Sequence, residues 1–159
     1  LQYTPFSKER IVLVAGIKSD TSEFDKILLE QNTDKIEKWL NHQSWFGTNG
    51  DMEHLRNFWL HNFKRRPDFK PNYIVPNISS IVRCISEESG FAVIPDFLCS
   101  KQLQEGRIKL VWEGYTPLEN TLYFVKRKKT IYQSQLEVLC KIFKEEMNKN
   151  RMYCVSEYI

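Results

Sequence analysis

The chain has 159 residues, 42% of them hydrophobic and 27% charged, with a formal net charge of +3. That is one domain's worth of chain, enough to bury a sizeable core, and the modest, dispersed charge gives no compositional argument for nucleic acid. No apolar run reaches the length of a membrane span. Cys84, Cys99, Cys140 and Cys154 lie far apart, with no C-x-x-C pair and no secretory signal peptide. Three of them fall on or beside apolar helical positions, and all four read as reduced, cytosolic thiols.

In chain order, Ile11 to Ala15 reads as a buried strand, ended by Gly16 and a polar loop through Asp25. Lys35 to Leu40 forms a short helix with Ile36, Trp39 and Leu40 facing inward. Ser44-Trp45-Phe46 is a strand that ends at Gly47. Thr48-Asn49-Gly50-Asp51 is a turn that hands a capping residue to the next helix. That helix carries Met52, Leu55, Trp59 and Phe63 on its inner face, and Arg65, Arg66 and Pro67 close it. Phe58 and Leu60 fall beside the stripe, outside the core face. Tyr73-Ile74-Val75 is the next strand, and it delivers the chain to its central stretch, Pro76 to Phe97.

In that stretch Ile78, Ile81, Val82 and Ile85 make one apolar helical stripe, with Asn77 as N-cap and Gly90 as the exit. Phe91-Ala92-Val93-Ile94 is a continuous apolar run, read as a strand buried on both faces. Pro95-Asp96 opens a further helix through Leu98 and Leu103, ended by Gly106. Ile108 to Trp112 and Leu122 to Val125 are two more strands, separated by a Gly/Pro loop. Thr130-Ile131-Tyr132-Gln133 has capping-box form, and Leu136, Leu139, Phe143 and Met147 carry a last helix to about Asn148. The tail from Asn150 shows no clear period. Strands alternating with helices predict an α/β domain with a mainly parallel sheet covered on both faces.

Five blocks carry a resemblance: RIVLVAG at 10–16, WLNHQSWFGTNGDMEHLRNFW at 39–59, PNISSIVRCISEESGFAVIPDF at 76–97, LQEGRIKLVW at 103–112 and NTLYFVKRK at 120–128. In this order they resemble the effector-binding domain of LysR-type transcriptional regulators, over nearly the whole chain. The family usually has Gly-x-Gly before the buried strand; Glu88-Ser89-Gly90 stands there instead. The resemblance implies a type II periplasmic-binding-protein-like fold. Residues 11–112 would form one near-complete second lobe, and 120–148 the strand and helix returning to the first. Leu1 is not a methionine, and the resemblance further implies a fragment lacking the N-terminal winged helix-turn-helix domain and most of the first lobe. The returning helix would then need a substitute partner for its apolar stripe.

Ligands of open α/β sheets collect outside the carboxyl ends of the strands. Phe46-Gly47-Thr48-Asn49 and Asn77-Ile78-Ser79 each follow a strand and open a helix, so both present free N–H groups and a positive dipole end to an anion. Thr48, Asn49, Asn77 and Ser79 add side-chain donors, and Gly47 gives a ligand room to approach the backbone. Ordinary capping explains the same residues. The resemblance adds the binding role, because these positions match the effector-facing loops of the family's second lobe.

Other features point elsewhere. Lys126-Arg127-Lys128-Lys129 could meet phosphates but fits a solvated loop. His54 and His61 lack the H-E-x-x-H form of a metal helix. Cys84 has no acid–base partner, and Glu87 and Glu88 read as a solvated helix end. Neither a cofactor motif nor a catalytic constellation is visible. The expectation is a cytoplasmic, homo-oligomeric regulatory domain that senses a small anion or polar effector, contacting DNA only through the absent domain. A solute-binding protein of the same fold is the alternative.

Overall fold

The computed structural model describes residues 1–48 and 52–151. Two compact units divide the chain: residues 11–118, and residues 1–10 with 119–159. The larger unit is built on the alternation of strand β1 (Gln2–Gly16), whose residues 11–16 are all buried. Ile11, Leu13 and Ala15 point to one face of the sheet, and Val12 and Val14 to the other, as the two-residue period of a strand requires.

The first face is covered by α1 (Ser22–Leu29), α2 (Thr33–Asn41) and α3 (Glu53–Phe63). Their Phe24, Ile36, Leu40, Phe58, Trp59 and Phe63 make an aromatic-rich core with Trp45 and Phe91. The second face is covered by α4 (Ile78–Glu87) and α5 (Ser100–Gln104). There Ile81, Val82 and Ile85 pack with Ala92, Ile94, Cys99 and Ile108 in a smaller aliphatic core. Strand β4 (Phe91–Pro95) is buried throughout and serves both faces, as its apolar run leads one to expect.

β1 pairs antiparallel with β4, from Ile11 opposite Pro95 to Ala15 opposite Phe91. On its other edge it pairs antiparallel with β5 (Ile108–Trp112), across an irregularity between Leu13 and Val14. β2 (Phe46–Thr48) and β3 (Tyr73–Val75) pair in parallel, and a parallel bridge from Trp45 to Phe91 links β2 to β4. The expected mainly parallel sheet is therefore mixed, with β1 the reversed strand. The segment read as a polar loop through Asp25 holds α1, so two helices separate β1 from β2. An even number of helical passes returns the chain to the end it left, and the next strand runs the other way.

Several local expectations are corrected. Phe58 is fully buried against Trp112, with ring centroids 5.8 Å apart, whereas Leu60 is exposed. The helix expected after Pro95 begins as a 3-10 turn over Asp96–Leu98, and α5 follows from Ser100. The N-cap position of α3 is Met52, in a left-handed conformation with no side-chain cap; Asn49, Gly50 and Asp51 lie outside the described residues.

In the smaller unit, the start of β1 pairs with β6 (Leu118–Lys126), and α6 (Gln133–Arg151) follows. Phe6, Phe124 and Phe143 form a ring cluster with centroids 4.5 to 6.3 Å apart. The capping box before α6 is not formed. The Thr130 hydroxyl accepts from the Tyr132 N–H, while the Gln133 side chain bonds Lys126 and Glu137. Cys84, Cys99 and Cys140 are free thiols.

Candidate functional site

At the carboxyl ends of β2 and β3 the two segments singled out in the sequence come together. Phe46, Gly47 and Thr48 from β2, and Asn77, Ile78 and Ser79 at the start of α4, line one cleft of about 520 Å³. Asn49, expected beside them, lies outside the described residues. The parallel pairing of β2 and β3 sets this neighbourhood, and the stacked rings of Phe46 and Tyr73, 4.8 Å apart, reinforce it.

The start of α4 shows how capping and an open anion site coexist. The Asn77 side chain accepts from the Ser80 N–H at 2.9 Å, and the Ile81 N–H reaches Asn77 O at 3.2 Å. The N–H groups of Ile78 and Ser79, the first two of the helix, have no intrahelical acceptor and lie at its positive end. The Ser79 side chain is exposed. No residue with a negative side chain stands in the first turn of α4.

Gly47 is also required by packing: a Cβ there would meet the Pro71 ring at 2.7 Å. Gly90 is required for two reasons. Its φ of +153° disfavours a side chain, and a Cβ would stand 2.5 Å from the Phe46 ring. A side chain at position 90 would therefore displace the Phe46 ring, which lines the cleft.

Sequence reasoning missed the third wall. The first turn of α3 brings Met52, Glu53, His54 and Leu55 to the same cleft, and Ile81, Val93 and Leu98 complete its apolar lining. Glu53 thus places a carboxylate at the cleft. Residues 49–51, most of the expected turn, lie outside the described residues, and no local signal in the sequence ties the start of α3 to the cleft. His54 and His61, the two histidines of α3, have different surroundings. His54 lines the cleft, and His61 Nε2 lies 2.8 Å from the Thr116 hydroxyl.

α3 is held from its other end. The Glu37 carboxylate on α2 is buried, accepts from Trp59 Nε1 at 2.9 Å, and takes both its oxygens to Arg65 Nε at 2.9 and 3.0 Å. The Arg65 hydrogen bonds hold the Glu37 carboxyl below the usual glutamate range; burial opposes this, and the Trp59 donor adds to it. Trp59 in turn packs edge-on against Trp45, the residue before the cleft.

The profile of the LysR substrate binding domain matches residues 1–148. The chain belongs to that family. Its periplasmic-binding-protein-like fold agrees with the mixed helices and strands seen here. The HTH-type transcriptional regulator AbaB of Streptomyces antibioticus is 28% identical over 74 residues, 46% of this chain and 25% of AbaB. ArgP from Mycobacterium tuberculosis superposes with a TM-score of 0.63 at 15% identity, over 90% of this chain and 46% of ArgP. LysG from Corynebacterium glutamicum, in a structure with bound effector Arg, gives 0.58 at 15% identity over 91% of this chain and 47% of LysG. The LysR domain thus spans under half the length of these regulators. Among the described residues, no helix is long and apolar enough to cross a membrane, and no group of three or more His, Cys, Asp or Glu is placed to hold a metal ion.

Proposed function

We propose that this LysR domain senses a small polar or anionic effector in the cleft between the β2 end and the start of α4. One observation carries the reading: segments distant in sequence converge on a cleft into which a capped helix start opens with two free N–H groups. Thr48 and Ser79 add hydroxyls, and the apolar lining of Leu55, Ile81 and Val93 excludes water from part of the ligand. Glu53 opposes a multiply charged anion, so one anionic or strongly polar group at α4 is the better fit. The effector Arg bound to LysG supports a small-molecule role on this fold.

In this reading residues 11–112 are the second lobe of a type II periplasmic-binding-protein-like domain, and residues 120–148 return to the first. The effector shifts the population of lobe arrangements, and the shift passes to a DNA-binding domain outside this chain. The protein acts in the cytoplasm as a homo-oligomer. Calorimetry with a panel of small carboxylates and amino acids tests the site. A ligand that binds wild type and loses at least tenfold in affinity to Ser79→Leu supports it; equal affinities move the site elsewhere.

A further inference from the structure

Two helices bring their first turns to the same cleft, and the two ends differ in charge. The free N–H groups at a helix start carry roughly half a positive charge. At α4 that charge stands uncompensated, since the first turn holds no acidic residue. At α3 the first turn holds Glu53, whose full negative charge outweighs the half charge of the helix end and leaves this wall net negative.

The bland role of a first-turn acid is to cap its own helix, and Met52 gives α3 no side-chain cap. Yet no hydrogen bond or ion pair engages Glu53 or His54 among the described residues, and both line the cleft. No lysine or arginine stands among the described residues of the lining. Between the two charged walls the lining is apolar, with Ile81, Val93 and Leu98, which lowers the local dielectric and strengthens both fields. The volume, about 520 Å³, is that of a small-molecule site.

We propose that Glu53 sets the chemical class of the effector, a claim that rests on the cleft reading above. The ligand is a zwitterion, with a carboxylate or like anion at the start of α4 and an ammonium or guanidinium at Glu53, as in an amino acid. A plain anion satisfies α4 but sets its charge against Glu53. A plain cation satisfies Glu53 but meets the positive end of α4. A ligand carrying both signs matches both walls, and the asymmetry fixes its orientation in the cleft. Glu53 is thus the discriminating residue, and Ser79 and the α4 amides serve any carboxylate alike.

The test is amide NMR titration of the 159-residue chain at neutral pH with the protein amino acids and δ-aminovalerate. Each binder is then compared with the same acid lacking its amino group, such as isocaproate for leucine. Wild type is expected to prefer the ammonium-bearing member of a pair by about tenfold or more. Glu53→Gln is expected to cut that preference to about threefold or less, weakening the amino acid and tightening the plain acid. A purely structural Glu53 would lower the melting temperature and leave the preference as it was. Should Glu53→Gln fail to fold, the wild-type shifts decide: the amino acid is expected to move the Glu53 and His54 amides as well as Ile78 and Ser79, and the plain acid only the latter two. Plain acids that bind this cleft as tightly as their amino acids, or a preference unchanged in Glu53→Gln, overturn the inference and leave the cleft standing. No saturable binder of either kind, or shifts that Ser79→Leu leaves intact, overturns both.

Discussion

A carboxylate buried between two helices has to be paid for by its donors, and Glu37 shows how: one indole N–H and a bidentate guanidinium occupy its two oxygens. Its carboxyl is held below the glutamate range of an unfolded chain, so its contribution to stability is fully present above that range. The contribution is lost as pH falls through the lowered folded value. Glu37→Gln is therefore expected to lower the urea midpoint at neutral pH, with the gap to wild type narrowing on acidification below the ordinary glutamate range. A gap that stays constant with pH would contradict the charge-based account. Ser79 is the opposite case, exposed at the open end of α4. Ser79→Leu is expected to leave the melting temperature within a few degrees, as for a surface change of about 0.5 kcal/mol or less. A large drop measured by calorimetric melting would make Ser79 structural.

Among the elements, α4 couples stability to the site. Its stripe of Ile81, Val82 and Ile85 is anchored on β4, while its first turn faces the cleft. Ile85→Ala removes a fully buried side chain and is expected to cost about 2–5 kcal/mol in denaturant unfolding. Asn77→Ala is expected to cost about 1 kcal/mol by the loss of its bond to the Ser80 N–H. This element was legible because cap, stripe and exit glycine are all local signals. α1 was not, because only Phe24, Ile27 and Leu28 mark its inner face within polar surroundings. Phe58 was misplaced although the helical period includes it: Leu55, Phe58, Trp59, Asn62 and Phe63 are buried at i, i+3, i+4, i+7 and i+8, a wider stripe than the one read from the sequence. The site was half legible. Asn77–Ser79 follows β3 and opens α4 as expected, whereas Phe46–Thr48 is itself strand β2, and Glu53 and His54 come from the first turn of α3, which no local signal ties to the cleft.

At the scale of the molecule, the reversed direction of β1 follows from the number of helices between strands, and no pattern local to β1 announces it. The family and its fold were legible because five blocks in fixed order span nearly the whole chain. In the proposed reading DNA recognition belongs to a domain outside these 159 residues. A gel shift with this chain at physiological salt is expected to give no sequence-specific complex, and one that appeared would reassign that role. The cleft is the central claim, and amide NMR of this chain titrated with a panel of small carboxylates and amino acids reads it directly, weak binding included. The account expects a saturable ligand whose shifts centre on Thr48 and on the Ile78 and Ser79 amides, and which Ser79→Leu abolishes without altering the rest of the spectrum. Saturable shifts centred away from this cleft, or unchanged by that substitution, would contradict it.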